Sequence, residues 1–196
     1  IRAAGCLLQY IKDRLRTSLP HLQSIRIEQV SDVLLIDANS RKNLELIQSI
    51  NSEASEHSLL HVIDFCQTAM GHRELTRNLQ KPIRNQNIVR EKLQAVDSLL
   101  GNRQFEVAAE TMNSIGDIER ILARIALLSA RPRDLSTLMA TLELLPRLQG
   151  QLEKLDSPLI RSLSKQISTH PKTLALLDSA IIDEPPVLIR DGGIIK

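Results

Sequence analysis

From Pro132 onward, leucine recurs at Leu135, Leu138, Leu142, Leu145, Leu148, Leu152 and Leu155, in steps of 3, 4, 3, 3, 4 and 3. Steps of three and four return a side chain to one face of an α-helix, whereas a strand would scatter these residues over both of its faces. A chain with such a row must bury that face against other helices. Pro132 fits the first position of a helix and disfavours helical geometry at Arg131 before it. Pro146 falls inside the row and predicts a kink or break there. The repeated step of three beside it fits a change of direction.

The residues just before the row form a second strong helix signal. In S-I-G-D-I-E-R-I-L-A-R-I-A-L-L-S-A-R-P-R-D-L (114–135), Ile118, Ile121, Leu122, Ile125 and Leu128 share a face. Ser114 and Asp117 fit the S-x-x-D capping pattern, in which side-chain oxygens satisfy free backbone N–H groups. Two helices therefore meet at a corner carrying Arg120, Arg124, Arg131 and Arg133, with Asp117, Glu119 and Asp134 as counter-charges.

Composition supports helix-on-helix packing. Of 196 residues 42% are hydrophobic, yet the aromatics are only Tyr10, Phe65 and Phe105, and tryptophan is absent. An aliphatic core of this kind suits helices better than a sheet sandwich. The expected fold is mainly α: a multi-helix bundle or array forming a single helical core domain over residues 1–196. Short β elements are expected near 25–36 and 186–196. In the first, Ile25 and Ile27 alternate with polar residues ahead of the run Val33–Ile36, as in a hairpin. In the second, apolar runs flank Asp191-Gly192-Gly193.

Other helices are expected over 2–16, over a short segment capped by Asp37, over 58–80, from Asn85 to Leu100, and over 103–112, 158–168 and 171–182. Asn51 to His57 reads as a loop. Leu59, Ile63, Cys66 and Met70 would line the 58–80 helix, and Gly71 inside it calls for the close approach of another backbone. Val89, Leu93, Val96 and Leu100 line the helix that Asn85 caps.

The net charge of +2 provides no large positive field to attract nucleic acid. Cys6 and Cys66 are too few for a disulfide framework and fit a reduced, cytoplasmic setting. No apolar run approaches the roughly 20 residues needed to span a membrane. The opening at Ile1 and the close at Lys196 are those expected of a piece of a longer protein.

No catalytic, cofactor-binding or metal-binding residue is assigned. The seven glycines never fall in the spacing of a phosphate loop or dinucleotide fingerprint. His57, His61, Cys66 and His72 lack zinc-ligand spacing. Ser58 and Ser129 have no nucleophile-elbow setting. Asp183-Glu184 reads as a solvated helix end. The arginine corner has two readings: phosphate binding, since arginine forks match phosphate oxygens, and pairing with the neighbouring carboxylates. The even mixture of signs and the lack of stacking aromatics favour the second.

Five blocks carry a resemblance. They are A-A-G-C-L-L-Q-Y-I-K (3–12), D-A-N-S-R-K-N-L-E-L (37–46), T-A-M-G-H-R-E-L with K-P-I-R (68–75 and 81–84), G-D-I-E-R-I-L-A-R-I-A-L-L-S-A-R-P-R-D-L (116–135) and P-P-V-L-I-R-D-G-G-I-I (185–195). In this order they resemble the core, or lever, domain of the bacterial MutS DNA mismatch-repair family. The resemblance implies a helical segment with no catalytic site of its own, linking the mismatch-reading and connector domains to an ATPase. It implies a parent that works as a homodimer, encircles mismatched double-stranded DNA, uses ATP and magnesium, and recruits MutL. The family's F-x-E motif does not occur: Phe65 opens F-C-Q and Phe105 opens F-E-V. The Walker motifs are also missing, so no site residue of the family carries over. Two other readings are a stand-alone helical protein-interaction scaffold and a basic helical DNA binder.

Overall fold

The computed structural model describes residues 2–15, 32–50, 55–187 and 189–196, and among these the chain is mainly α-helical. The helices are α1 (Arg2–Leu15), α2 (Ala38–Asn43), α3 (Leu59–Ile63), α4 (Ala69–Gln80) and α5 (Gln86–Leu100). They continue with α6 (Gln104–Asn113), α7 (Ile118–Ala126), α8 (Pro132–Leu152), α9 (Pro158–Gln166) and α10 (Pro171–Ala180). The starts follow capping chemistry. Asp37, Ser58, Thr68, Asn85, Asp117 and Ser157 each accept a hydrogen bond from a backbone N–H in the first turn of the next helix. Ser114 takes no part in the cap of α7; it closes α6.

Helix α8 is the spine, contacting α6, α7, α9 and α10. The leucine row does what its spacing predicts: Leu138, Leu142 and Leu148 are buried, as is Leu155 just beyond the helix. Leu138 and Leu142 meet Ile121 of α7 in one core cluster, against which Ile118, Ile125, Leu174 and Leu177 pack. Leu155, Ala95 of α5 and Ile160 of α9 form a second cluster, with Leu99 and Leu152 at its edge.

The break expected at Pro146 does not occur, and α8 runs through it. A proline inside a helix costs about 3 kcal/mol. Burying one leucine returns roughly 1.5–3 kcal/mol, and buried leucines lie on both sides of Pro146, which itself faces solvent. The packed face overrides the local penalty.

The single helix expected over 58–80 is two helices. The chain leaves helical geometry after Ile63, and Asp64 accepts the N–H of Cys66 (3.2 Å) before Thr68 caps α4. The apolar face shifts with it: Leu60 is buried and Leu59 is exposed. Gly71 lies in the first turn of α4, and its neighbours are Thr68 Oγ1 and Cys66, not another helix.

Among the described residues the β content is two isolated antiparallel bridges, Val33 with Ile83 and Ile181 with Ile195. The expected strand at 25–27 and its turn lie outside the described residues. In the tail, Ile189–Asp191 forms a 3-10 turn. Gly192 and Gly193 adopt positive φ (70° and 60°). The chain is thereby directed to the end of α10, and Ile195 pairs with Ile181 instead of with the run before the glycines.

The close approach expected at Gly71 is found at Gly116. A Cβ there would press into Thr137 Cγ2 of α8, well inside van der Waals contact, and lie 3.4 Å from Thr141 Oγ1. The Gly116 N–H donates to Thr141 Oγ1 at 3.0 Å, and Thr141 is 0% exposed. Gly116→Ala is therefore expected to destabilise the chain by about 1–3 kcal/mol through overpacking. Thr141→Val, which leaves a buried N–H without its partner, has an expected loss of about 1–3 kcal/mol. Gly150 in α8 faces open space, so Gly150→Ala is expected to stabilise by about 0.5–1 kcal/mol. Urea unfolding followed by far-UV circular dichroism reads all three.

Candidate functional site: an arginine–carboxylate joint

Asp117 and Asp134 each begin a helix, and each carboxylate has two roles. Asp117 Oδ1 accepts the backbone N–H of Arg120 at 3.3 Å, capping α7. Asp134 Oδ2 accepts the backbone N–H of Arg131 at 2.9 Å, closing the start of α8 from its first turn. Negative charge is favoured at both places because the free N–H groups make a helix start electropositive. The same two carboxylates then hold arginines from other helices.

Arg73 reaches from α4 to the start of α7. Its Nη1 and Nη2 donate to the two oxygens of Asp117 at 2.8 and 2.7 Å. Its Nε and Nη2 donate to Glu119 Oε2 at 3.1 and 2.6 Å. This is the fork-to-carboxylate geometry that a guanidinium makes and an ammonium does not. Arg124 continues the chain of contacts, with Nη1 donating to Asp134 Oδ1 at 2.6 Å. Three helices are thus linked in series, α4 to α7 to α8. The pairs are partly shielded: the Asp134 side chain is 12% exposed and that of Asp117 is 20% exposed. The hydrogen bonds from Arg73 hold the Asp117 carboxyl below its ordinary range. Reciprocally, Asp117 and then Glu119 raise the Arg73 guanidinium.

The arginine corner is therefore a pairing network to a large extent. Asp117, Glu119 and Asp134 all serve as counter-charges, and Arg120 Nε lies 3.4 Å from Asp117 Oδ2. The guanidinium groups of Arg131 and Arg133 reach no carboxylate among the described residues. The central cation, Arg73, escapes a reading based on local spacing because its partner is 44 positions away. Its only trace in the sequence is its place in the G-H-R-E-L block.

Other polar residues have structural roles. Ser58 is buried and caps α3 through His61 N–H (3.2 Å). Ser129 Oγ donates to the Arg124 carbonyl at the end of α7. His72 Nδ1 contacts Asp64 Oδ2 and ties the α3–α4 break to α4. Desolvation, and then hydrogen bonding to Asp64, pushes the thiol of the exposed Cys66 up. Among the described residues no group of three or more His, Cys, Asp or Glu could hold a metal ion, and no helix is long and apolar enough to cross a membrane.

A family model, MutS domain III, matches residues 39–196, about four-fifths of the chain. The chain belongs to the MutS family. The domain III match includes every residue of the joint and all of α3 to α10, while the block at 3–12 precedes it. In this MutS domain III, then, the stretch with the strongest helix signals is also the one that joins three helices through charge.

Protonation tests the joint. Asp117 and Asp64 both sit below the usual carboxylate range, Asp117 because of hydrogen bonding from Arg73 and Asp64 because of hydrogen bonding with His72. A carboxylate depressed on folding stabilises the fold fully above its unfolded pKa of about 3.9. That stability is lost as pH falls through the lower folded value. The melting temperature is expected to hold from neutral pH down to about pH 5 and to fall below about pH 4. Asparagine keeps the cap but not the charge, so Asp117→Asn should melt lower at neutral pH and show a shallower acid fall. Parallel melting curves over the acid range check both.

Proposed function

We propose that this domain III is the mechanical coupler of a MutS-type mismatch-repair protein. It carries no catalytic site and transmits a shift between an ATPase and the DNA-binding parts, both outside residues 1–196. The observation that supports this reading is the serial link of Arg73, Asp117, Arg124 and Asp134. Directional bonds of this kind move α4, α7 and α8 together, and coupling between distant sites requires an element with a small number of defined arrangements. In the parent, mismatched double-stranded DNA, a second MutS subunit and MutL are the partners. ATP and magnesium act at the ATPase. The residues of this segment do not fit them, having neither phosphate-loop spacing nor, among the described residues, a metal-holding cluster.

Pro132, the first residue of α8, marks the corner between α7 and α8. Pro146 lies within a continuous helix, and Gly71 lies within the first turn of α4. The pairing of Arg73, Arg120 and Arg124 removes much of the charge a DNA-binding reading would use. An exposed apolar face on α5 favours a second role as a protein-interaction surface.

The test is Arg73→Gln in the full-length parent, which removes the fork and its charge and leaves a shorter, neutral polar side chain. Nucleotide affinity without DNA and mismatch affinity without nucleotide are expected to stay near wild type. Release of mismatched DNA on ATP addition is expected to weaken by about fivefold, within the usual range of allosteric coupling. Unchanged release in a variant that folds and binds normally would exclude the joint as the coupling element.

A further inference from the structure

The stretch 32–49 frames a cleft beside the end of α4. The Leu34 N–H donates to the Pro82 carbonyl at 2.8 Å, and the Arg84 N–H donates to the Asp32 carbonyl at 3.1 Å. These bonds set residues 33–36 alongside 82–84, so that α2 starts close to the last residues of α4. After α2 the chain turns at Glu45, whose φ of 47° is left-handed. The Leu59 and Leu60 N–H groups donate to the Glu45 and Leu46 carbonyls, both at 2.9 Å, and hold this turn against α3. Inside the frame lies a cleft of about 470 Å³, whose lining includes Arg41, Lys42, Leu46, Gln48, Ser49 and Gln80. That volume falls in the range of small-molecule sites. A cavity of about 290 Å³ adjoins it. Arg41 and Gln80 line both, and the other walls of the second are the apolar run Val33–Ile36 and Lys81.

Charge in the cleft has one sign. Among the described residues the lining of the two cavities carries cations and no carboxylate. Arg41 is half-buried, and neither its side chain nor that of Lys42 makes a hydrogen bond or ion pair among the described residues. The carboxylates nearest in sequence are occupied. Asp37 caps α2 through the N–H groups of Asn39 and Ser40. Glu45 Oε1 accepts from Ser49 Oγ at 2.9 Å and from the Ile50 N–H at 2.7 Å. A guanidinium stays charged at any ordinary pH, so a half-buried one without a counter-charge is set to receive an anion. Its fork matches phosphate oxygens, Lys42 adds a second positive charge, and the Gln80 amide can donate a further hydrogen bond. Two cations suit a phosphate monoester, which carries close to two negative charges at neutral pH, better than a carboxylate with one. The apolar wall beside Arg41 suits an organic group attached to that phosphate.

We propose that this cleft binds a small organic phosphate, with the phosphate held by Arg41 and Lys42 and the organic group against Val33–Ile36.

The probe is phenyl phosphate, titrated calorimetrically into the 196-residue chain at neutral pH and constant ionic strength, and then into the full-length parent. Saturable binding is expected in both, with a Kd at or below about 1 mM. Arg41→Gln should weaken it about tenfold or more, and inorganic phosphate should bind at least about threefold more weakly than phenyl phosphate. Lys42→Gln, at an exposed position, should weaken binding by at least about threefold, so the proposal stays testable if Arg41→Gln perturbs folding. Lys92→Gln on α5 makes the same change in net charge away from the cleft and should leave binding unchanged. Absence of saturable binding, an equal loss with Lys92→Gln, or equal binding of inorganic and phenyl phosphate would overturn the proposal. Binding by the 196-residue chain that the parent lacks would also overturn it, by assigning the cleft to another part of the parent. So would binding of a short DNA duplex that Arg41→Gln abolishes, by assigning the cations to nucleic acid.

Discussion

The buried leucine face of α8 is the constraint on which the rest of the structure depends. It reaches both core clusters, so α6, α7, α9 and α10 pack on a single helix, and α5 joins them through α6 and α9. Its strength is visible at Pro146, where the local preference for a break gives way to packing on both sides. The polar contacts that cross this spine, Thr141 with Gly116 and Gln149 with Ser164, are made by side chains beside the leucines. They fix how far each neighbouring helix slides along it. Gln149 Nε2 donates to the Ser164 carbonyl at 3.1 Å, and Ser164 Oγ returns a bond to the Gln149 carbonyl at 3.3 Å. Apolar burial supplies the attraction, and buried hydroxyls and amides supply the register.

Much of this fold was legible in the sequence because most of its helices announce themselves locally. Caps at Asp37, Ser58, Asn85 and Asp117, prolines at 132, 158 and 171, and the leucine row all act within one or two turns. Two of the misreadings, at Pro146 and on α5, share one cause, which is that a nonlocal term decided the outcome. The Pro146 break lost to burial of distant partners. The 58–80 helix split because Asp64 and Thr68 offer the backbone alternative hydrogen bonds, with His72 fastening the break. Val89, Leu93, Val96 and Leu100 read as the core face of α5, yet they are exposed and α5 turns Ala95 and Leu99 inward instead. A helix with apolar residues on two sides gives no internal indication of which side its own domain will cover.

The joint shows the same division. Its α7–α8 half, Arg124 with Asp134, spans 10 positions and could be anticipated from a charged corner. Its α4–α7 half depends on a cation 44 positions away, which no periodicity or spacing indicates. The sequence does supply everything Arg73 needs once the fold brings it close: a carboxylate fixed by its duty as a helix cap, and a second one two residues on. A capping aspartate is a good anchor for a distant arginine because its position is already set by the helix it starts.

The placement of the two clusters has a consequence for how the domain opens. All their buried members come from α5 and the helices after it. The described residues before α5 contribute Leu60 as their buried apolar side chain, and Arg73 ties them to the start of α7. Amide protons in α2 to α4 should therefore exchange with solvent through partial openings that leave α8 protected. The α8 amides would wait for global unfolding. Such a domain has a firm half and a releasable half, and the guanidinium of Arg73 is the latch between them.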